Sequence, residues 1–370
     1  MQQREAPGRR EPVAASWHAS SSAGECGAKD QVSRSGSHVG EGCQAGCRRP
    51  EEPDEGCLTP RLPGEERPRH VAIVGPTASG KTALALRLAR SLGGFELVSV
   101  DAMAVYRELD IGTAKPTREE RVGVTWHLTD LVEPFEEFSV ACYQAAFREA
   151  RSGIEARGNR ALLVGGTGLY HRAVVDDLEL PGRYPLIAAE LAERAAEPDG
   201  AAKLYRSLVT LDPLAATRIL PSNARRVLRA LEVTLGSGRA FSSFGPGLES
   251  YRPATVLQVG IAMSRSELDE RIESRLDTQL ASGFLEEVRG LLEAGTDLSR
   301  TAAQALGYRE LASHLRGERS LEEARSEILR RTRALARRQV AWFRRDPRVC
   351  FVEGTDDERY AAARALVMGG

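Results

Sequence analysis

Short apolar runs alternate with longer stretches whose apolar positions recur every three to four residues. Residues 71–74 (Val-Ala-Ile-Val), 95–100 (Phe-Glu-Leu-Val-Ser-Val), 160–164 (Arg-Ala-Leu-Leu-Val) and 257–262 (Leu-Gln-Val-Gly-Ile-Ala) are short and mostly apolar. Runs of this kind predict buried strands of a parallel sheet. Residues 82–90, 139–156 and 223–235 carry helical periodicity, and so does a long segment from Ser264. Gly93-Gly94 and Gly236-Ser-Gly238 suit helix C-termini. Asn223 suits an N-terminus, and Ser264-Arg-Ser-Glu267 reads as a capping box. Residues 301–348 are basic and helical, with Ile328, Leu335 and Trp342 recurring every seven positions as one buried stripe. Residues 1–67 show no periodicity and few large apolar side chains, the composition of a disordered extension.

The first strand runs into Gly75-Pro-Thr-Ala-Ser-Gly80-Lys81-Thr82, which matches G-x-x-x-x-G-K-[ST]. A strand before this motif and a helix after it predict a phosphate-cradling loop. Its backbone N–H groups form an anion nest at a helix N-terminus. The binding set is Gly75, Pro76, Thr77, Ala78, Ser79, Gly80, Lys81 and Thr82. Lys81 adds a full charge and Thr82 offers a hydroxyl to Mg²⁺. The fold expected is α/β, a P-loop NTPase-like parallel sheet flanked by helices. Five segments follow: the extension 1–67, a first core part 68–180, a helical insertion 181–222, a second core part 223–350 with basic helices, and a tail 351–370 without chemical signal.

Strand ends at the C-terminal edge of a parallel sheet face the ligand crevice, so Asp101 is expected beside the loop. The strand ending at Val164 leads into Gly165-Gly166-Thr167-Gly168. ATP-hydrolysing relatives of this loop often carry a Mg²⁺-holding Asp there, so a simple ATPase is disfavoured. The glycines are expected to let the backbone approach a ligand. His127 reads as a structural histidine in preference to a ligand. Arg275 lies roughly 20° around the helix axis from Leu268, on the core side, where a guanidinium needs an anion. That anion is a structural carboxylate or the bound phosphate, and the nearby loop favours phosphate.

Charge changes the picture only locally. The 370 residues hold 51 Lys and Arg against 52 Asp and Glu, a net charge of -1, so the whole-chain balance signals no nucleic acid. Arginines nevertheless cluster at Arg225, Arg226 and Arg229, and again at Arg330, Arg331, Arg333, Arg337, Arg338, Arg344, Arg345 and Arg348, with few acids beside them in sequence. Arg in this excess suits RNA phosphates. No apolar run approaches the ~20 residues of a membrane span, and no secretory h-region follows Met1. A soluble, cytoplasmic protein is expected. Of six cysteines, Cys43 and Cys47 have tolerable zinc spacing, but Cys26, Cys57 and His38 do not complete a good ligand set.

Eight stretches together resemble the tRNA dimethylallyltransferase (isopentenyltransferase) family. They are GPTASGKT (75–82), VDAMAVY (100–106), DIGTAKP (110–116), LVGGTGLY (163–170), NARRVLRALEV (223–233), GFLEEV (283–288), QALGYR (304–309) and RRQVAWFR (337–344). The resemblance spans about residues 70–350. It implies transfer of a dimethylallyl group from dimethylallyl diphosphate to the exocyclic N6 amine of the adenosine 3′-adjacent to the anticodon, in tRNAs reading codons that begin with U. It implies catalytic roles for Asp101 as general base and for Thr82 and Arg275 at the diphosphate, with Mg²⁺ as cofactor. It implies tRNA contacts at Asp101, Ala102, Met103, Ala104, Thr167, Arg225, Arg226, Arg229, Gln304, Gly307, Tyr308 and Arg309. The expected partners are the tRNA anticodon stem-loop and dimethylallyl diphosphate, with no membrane, for a monomeric enzyme. Two departures stand out: Ala102 where the family usually has Ser, and Trp126 before His127 where it has Pro or His. The rival from the residues alone is an ATP-dependent small-molecule kinase. A second rival is a nucleic-acid-binding module without catalysis, against which Lys81, Thr82 and Asp101 argue.

Removing residues 1–67 is expected to leave turnover intact. Steady-state rates of the full-length and truncated chains check this, and a large loss on truncation refutes it.

Overall fold

A computed structural model of the chain describes residues 70–369, apart from 246, 254 and 296. Cys26, His38, Cys43, Cys47 and Cys57 lie outside the described residues. The order begins β1 (His70–Val74), α1 (Lys81–Leu92), β2 (Phe95–Val100), β3 (Trp126–His127), α2 (Val140–Ala156), β4 (Arg160–Gly165) and α3 (Gly168–Val175). Four helices follow: α4 (Pro185–Ala196), α5 (Gly200–Leu211), α6 (Pro213–Arg218) and α7 (Ala224–Ser237). The chain returns through β5 (Val256–Ile261) to α8 (Arg265–Ala281), α9 (Phe284–Glu293), α10 (Tyr308–Leu315) and α11 (Leu321–Arg344), and ends with β6 (Val349–Val352) and α12 (Asp356–Gly369).

All six strands are parallel, in the order β3-β2-β4-β1-β5-β6. Alternate residues serve opposite faces. Val71, Ile73, Leu97, Leu162 and Val164 pack toward α1 and α12, while Ala72, Val74, Val98, Val100 and Leu163 pack toward α2 and α3. Both faces are covered, which is why the strands read as nearly continuous apolar runs. Register aligns their C-terminal ends. Val100 lies opposite Gly165, Gly165 opposite Val74, and Val74 opposite Gly260. The phosphate loop, Asp101 and Gly166–Thr167 therefore leave the sheet side by side.

The insertion is larger than the sequence suggested. Its core joins Leu191 of α4, Leu204 and Leu208 of α5, Ala215 and Ala216 of α6, and Val227, Ala230 and Leu231 of α7. The apolar stripe of α7 faces these helices, so the boundary expected after residue 222 moves to the linker before β5. Asn223 does cap α7, accepting from the Arg226 N–H at 3.2 Å, and Gly238 ends it at φ 69°. The segment 351–370, which carried no signal, also differs. β6 forms the sheet edge beside β5, and α12 covers one face with Ala363, Tyr360, Leu366 and Val367. β6 is only four residues long, and α12 meets the core through a single face of Tyr360, Ala363, Leu366 and Val367. Ser264 caps α8 by accepting from the Glu267 N–H at 3.2 Å. The box is half made, because the Glu267 carboxylate pairs with Arg271 and the buried Arg359 of α12.

His127 is structural, paired with Glu96 at 2.7 Å. Glu96, at 5% side-chain exposure, also accepts from Arg157 at 2.8 and 2.7 Å and from Asn159 at 2.8 Å. The Arg157 bonds lead in holding its pKa down, to about 2 from 4.5, with burial opposing and Asn159 and His127 assisting. A depressed carboxyl pKa stabilises the fold above the unfolded value and loses that contribution as pH falls from about 4.5 toward 2. Glu96→Gln is expected to cost roughly 3 kcal/mol at neutral pH, and the deficit should shrink as pH drops below 4.5. Urea titrations of both proteins across pH check this.

Candidate active site

The phosphate loop turns sharply after Val74, with Gly80 at φ 84° immediately before α1. Inside it, the Lys81 ammonium donates to the Pro76 carbonyl at 2.5 Å. Burial pushes its pKa down from 10.5 to about 7; the neighbouring Arg275 adds to this and Asp101 opposes it. The Ser79 hydroxyl is buried with no partner among the described residues. Thr82 stands on the first turn of α1. The loop is held from outside by Gln339 of α11. Its Oε1 accepts from the Thr77 N–H at 2.8 Å, and its Nε2 donates to the Gly166 carbonyl at 3.0 Å.

Asp101 follows β2 directly. Its Oδ1 accepts from the Met103 N–H at 2.8 Å, and the Ala102 N–H donates to Thr167 Oγ1 at 3.2 Å. Asp101, Ala102, Met103, Thr77, Ala78 and Thr167 all line one cavity of about 740 Å³. Ala104 does not line it and is buried in the core.

Arg275 enters the same cavity from α8, on the face that buries Leu268, Ile272 and Leu276. It donates to Thr77 Oγ1 at 3.2 Å and to the Thr113 carbonyl at 3.4 Å. Burial lowers its pKa and Asp101 raises it. No carboxylate of the described residues lies within ion-pair distance of it. Of the two anions open to Arg275, the structural carboxylate is not there.

Gly166 and Gly168 line the cavity, and they also make room for α11. A Cβ at Gly166 would stand 2.5 Å from Gln339 Nε2, and one at Gly168 would stand 2.3 Å from the Trp342 indole. Besides facing the cavity, this loop is where α11 packs down. The stripe Ile328, Leu335 and Trp342 correspondingly faces the cavity as well as the core. Four of the eight arginines expected to be free are paired in three dimensions. Arg330 pairs with Glu327, Arg331 with Glu310, Arg333 with Glu273, and Arg348 with Asp176 and Asp346. The partners lie mostly on other elements, which sequence proximity could not reveal. No ion pair of the described residues involves Arg337, Arg338, Arg344 or Arg345.

The remaining expected tRNA residues scatter. Gln304 lines the cavity. Gly307 is the N-cap of α10 at φ 96°, and Tyr308 is buried with its hydroxyl donating to Glu287 at 2.7 Å. Arg309 is exposed, 3.7 Å from Glu310. Arg225 and Arg226 are exposed on α7. Arg229 bonds the Pro181 and Gly182 carbonyls at 2.9 and 3.0 Å and pairs with Glu232, a strut within the insertion.

Sequence reasoning missed Gln339 and Glu287. Gln339 sits in the stripe between Leu335 and Trp342, so an uncharged polar residue on an apolar helix face was the available signal. Glu287 accepts from the N–H groups of Asp110, Ile111 and Gly112 at 3.1, 2.7 and 3.2 Å, besides Tyr308. One carboxylate thus joins the 110–116, 283–288 and 304–309 motifs, and that meeting is visible only in space.

The IPP transferase family model matches residues 104–346, and the isopentenyl transferase model matches residues 68–128. A tRNA dimethylallyltransferase of Streptomyces coelicolor is 48% identical over 287 residues, covering 78% of this chain and 91% of that protein. One of Geobacter metallireducens is 46% identical over 78% of this chain and 94% of its own length. Among solved structures, a tRNA isopentenylpyrophosphate transferase of Bacillus halodurans superposes with a TM-score of 0.60 at 36% identity, covering 82% of this chain and 96% of that one. A eukaryotic dimethylallyltransferase acting on tRNA superposes with a TM-score of 0.66 at 25% identity, covering 80% and 77%.

A Lys81 amine near pKa 7 is mostly neutral at about pH 8 and mostly charged at about pH 5.5. An anion in the loop favours the charged form. Binding of inorganic diphosphate at about pH 8 is therefore expected to take up more protons in the wild type than in Lys81→Met, and the difference should vanish near pH 5.5. Calorimetry in buffers of different ionisation heat measures it.

Proposed function

The chain belongs to the tRNA dimethylallyltransferase family, prenyl transferases that modify N6 of adenosine in tRNA, and from that premise we propose how its residues carry the reaction. The donor is dimethylallyl diphosphate, seated on Gly75–Thr82. The acceptor is the adenosine 3′-adjacent to the anticodon in tRNAs reading codons that begin with U. The N6 lone pair forms a bond to C1 of the allyl group, the C1–O bond to diphosphate breaks, and the N6 proton passes to the Asp101 carboxylate. The observation that carries this reading is that Asp101, Thr77 and Ala78 of the phosphate loop, and an Arg275 with no carboxylate partner among the described residues, line one cavity.

Lys81 and Arg275 stabilise the charge that grows on the leaving diphosphate, from positions already fixed before reaction. The desolvation that lowers Lys81 is relieved when an anion arrives. The described residues contain no group of three His, Cys, Asp or Glu side chains able to hold a metal. Thr82 Oγ1 would hold a divalent ion here, a hydroxyl oxygen of the kind that suits Mg²⁺. When bound, Mg²⁺ adds neutralising charge at the diphosphate. Asp101 does not hold the phosphates in this scheme. Its Oδ1 is turned by the Met103 N–H, which leaves the other oxygen to the amine.

An adenine must leave its stack to reach Asp101. Thr167, Ala102, Met103 and Gln304 on the cavity wall are its nearest contacts, while Arg337 and Arg338 suit the phosphates of the loop that delivers it. Arg225, Arg226 and Arg309, exposed and farther out, suit the flanking stem, with Arg229, Gly307 and Tyr308 supporting the segments that carry them. One chain supplies every group named, which supports a monomer. A tRNA substrate supports a cytoplasmic setting.

Asp101→Asn is expected to slow single-turnover transfer by ~10²–10⁴ while leaving dimethylallyl diphosphate binding in place. Near wild-type transfer removes Asp101 as the base. Lost diphosphate binding with chemistry otherwise normal makes it part of the magnesium site.

A further inference from the structure

The cavity has a polar end and an apolar wall. The polar end carries Thr77, Asp101, Thr167 and Arg275; the wall is Ile272 and Leu276 of α8, Phe284 of α9, and Ile328 and Leu335 of α11. Resting on the reading above, with diphosphate at the polar end, the allyl tail belongs along this wall. Phe284 is its most fixed member, 1% exposed.

The ring is gripped at both edges. A Cβ at Gly112 would stand 2.3 Å from Phe284 Cε2, and one at Gly307 would stand 2.6 Å from Cε1. Two stretches of backbone thus touch opposite sides of one ring. Tyr308 meets it edge-on at 5.1 Å and 74°. Tyr308 is itself held by Glu287 at 2.7 Å, and the same carboxylate fixes the backbone of Gly112 at 3.2 Å. A ring so held cannot rotate aside for a longer tail. Leu276 and Ile328 on the same wall are buried as well.

We infer that Phe284 is the end wall of the allyl subsite and limits the transferred group to one isoprene unit. Replacing Phe by Ala removes six ring carbons, close to the five carbons of a second isoprene unit. Geranyl diphosphate has the same reacting end as the dimethylallyl donor. With it, the N6–C1 bond would form, the C1–O bond break, diphosphate leave and the proton pass to Asp101 in the same way. Only the tail length differs.

Phe284→Ala and Phe284→Leu are assayed with geranyl and dimethylallyl diphosphates on unmodified tRNA, with products identified by mass spectrometry of nucleosides. The kcat/KM ratio, geranyl over dimethylallyl, is expected to rise by about tenfold or more, with Leu between wild type and Ala. A folded variant with an unchanged ratio overturns the inference. Phe284→Leu keeps most of the packing, so it stands if the alanine variant does not fold. Binding is read separately by displacement of the donor from the wild type with unbranched alkyl diphosphates. Affinity should climb to a tail of about five carbons and then fall, because each further methylene meets the wall. A steady rise with length overturns the wall even if transfer to tRNA is normal. A failure of wild-type transfer with the length cut-off intact overturns the proposed reaction and leaves the wall standing.

Discussion

The in-register ends of the parallel strands are the constraint on which the site depends. Val100, Gly165, Val74 and Gly260 form one row across the sheet, and the residues after them are Asp101, Gly166, the phosphate loop and the run into α8. Each strand alternates between two apolar cores, so a slip of one residue would exchange every side chain between them. Register is thereby fixed by burial on both faces. The distance between Asp101 and the phosphate loop is set by the same packing that stabilises the sheet.

On that row the protein concentrates positive charge without neutralising it. Lys81 is half-buried against a carbonyl, and Arg275 half-buried against a hydroxyl and a carbonyl. Both are pushed toward their neutral forms by desolvation. Elsewhere the chain pairs its buried charges, as with Arg348 between Asp176 and Asp346 or Glu96 beneath Arg157. The contrast sets Lys81 and Arg275 apart as cations with no carboxylate partner among the described residues, as the proposed diphosphate site requires.

Helix α11 closes the site from the other side. Gln339 ties the phosphate loop to the loop after β4, Trp342 fills the space that Gly168 leaves, and Ile328 and Leu335 give the cavity its apolar wall. Its outer arginines that lack carboxylates lie near the same end of the helix. One element therefore both lines the cavity and carries arginines without carboxylate partners among the described residues. The Glu287 cluster plays a similar part on the opposite wall, holding three chain segments to one carboxylate.

Much of this was legible from local pattern. The phosphate loop, Asp101 at a strand end, the core-facing Arg275, the capped α7 and the structural His127 follow from spacing, periodicity and chain chemistry, because each depends on neighbours within a turn or a strand. The strands also read clearly, since burial on both faces leaves uninterrupted apolar runs. Tertiary structure decided what depends on distant partners. It showed that Arg331 and Arg333 are paired while Arg337 and Arg338 are not, and that Gly166 and Gly168 make room for a helix. It put α7 in the insertion, α12 on the sheet, Gln339 across two loops and Phe284 between two glycines. The acids, helices and backbones involved lie tens to hundreds of residues away, and only folding brings them within a hydrogen bond or a van der Waals contact.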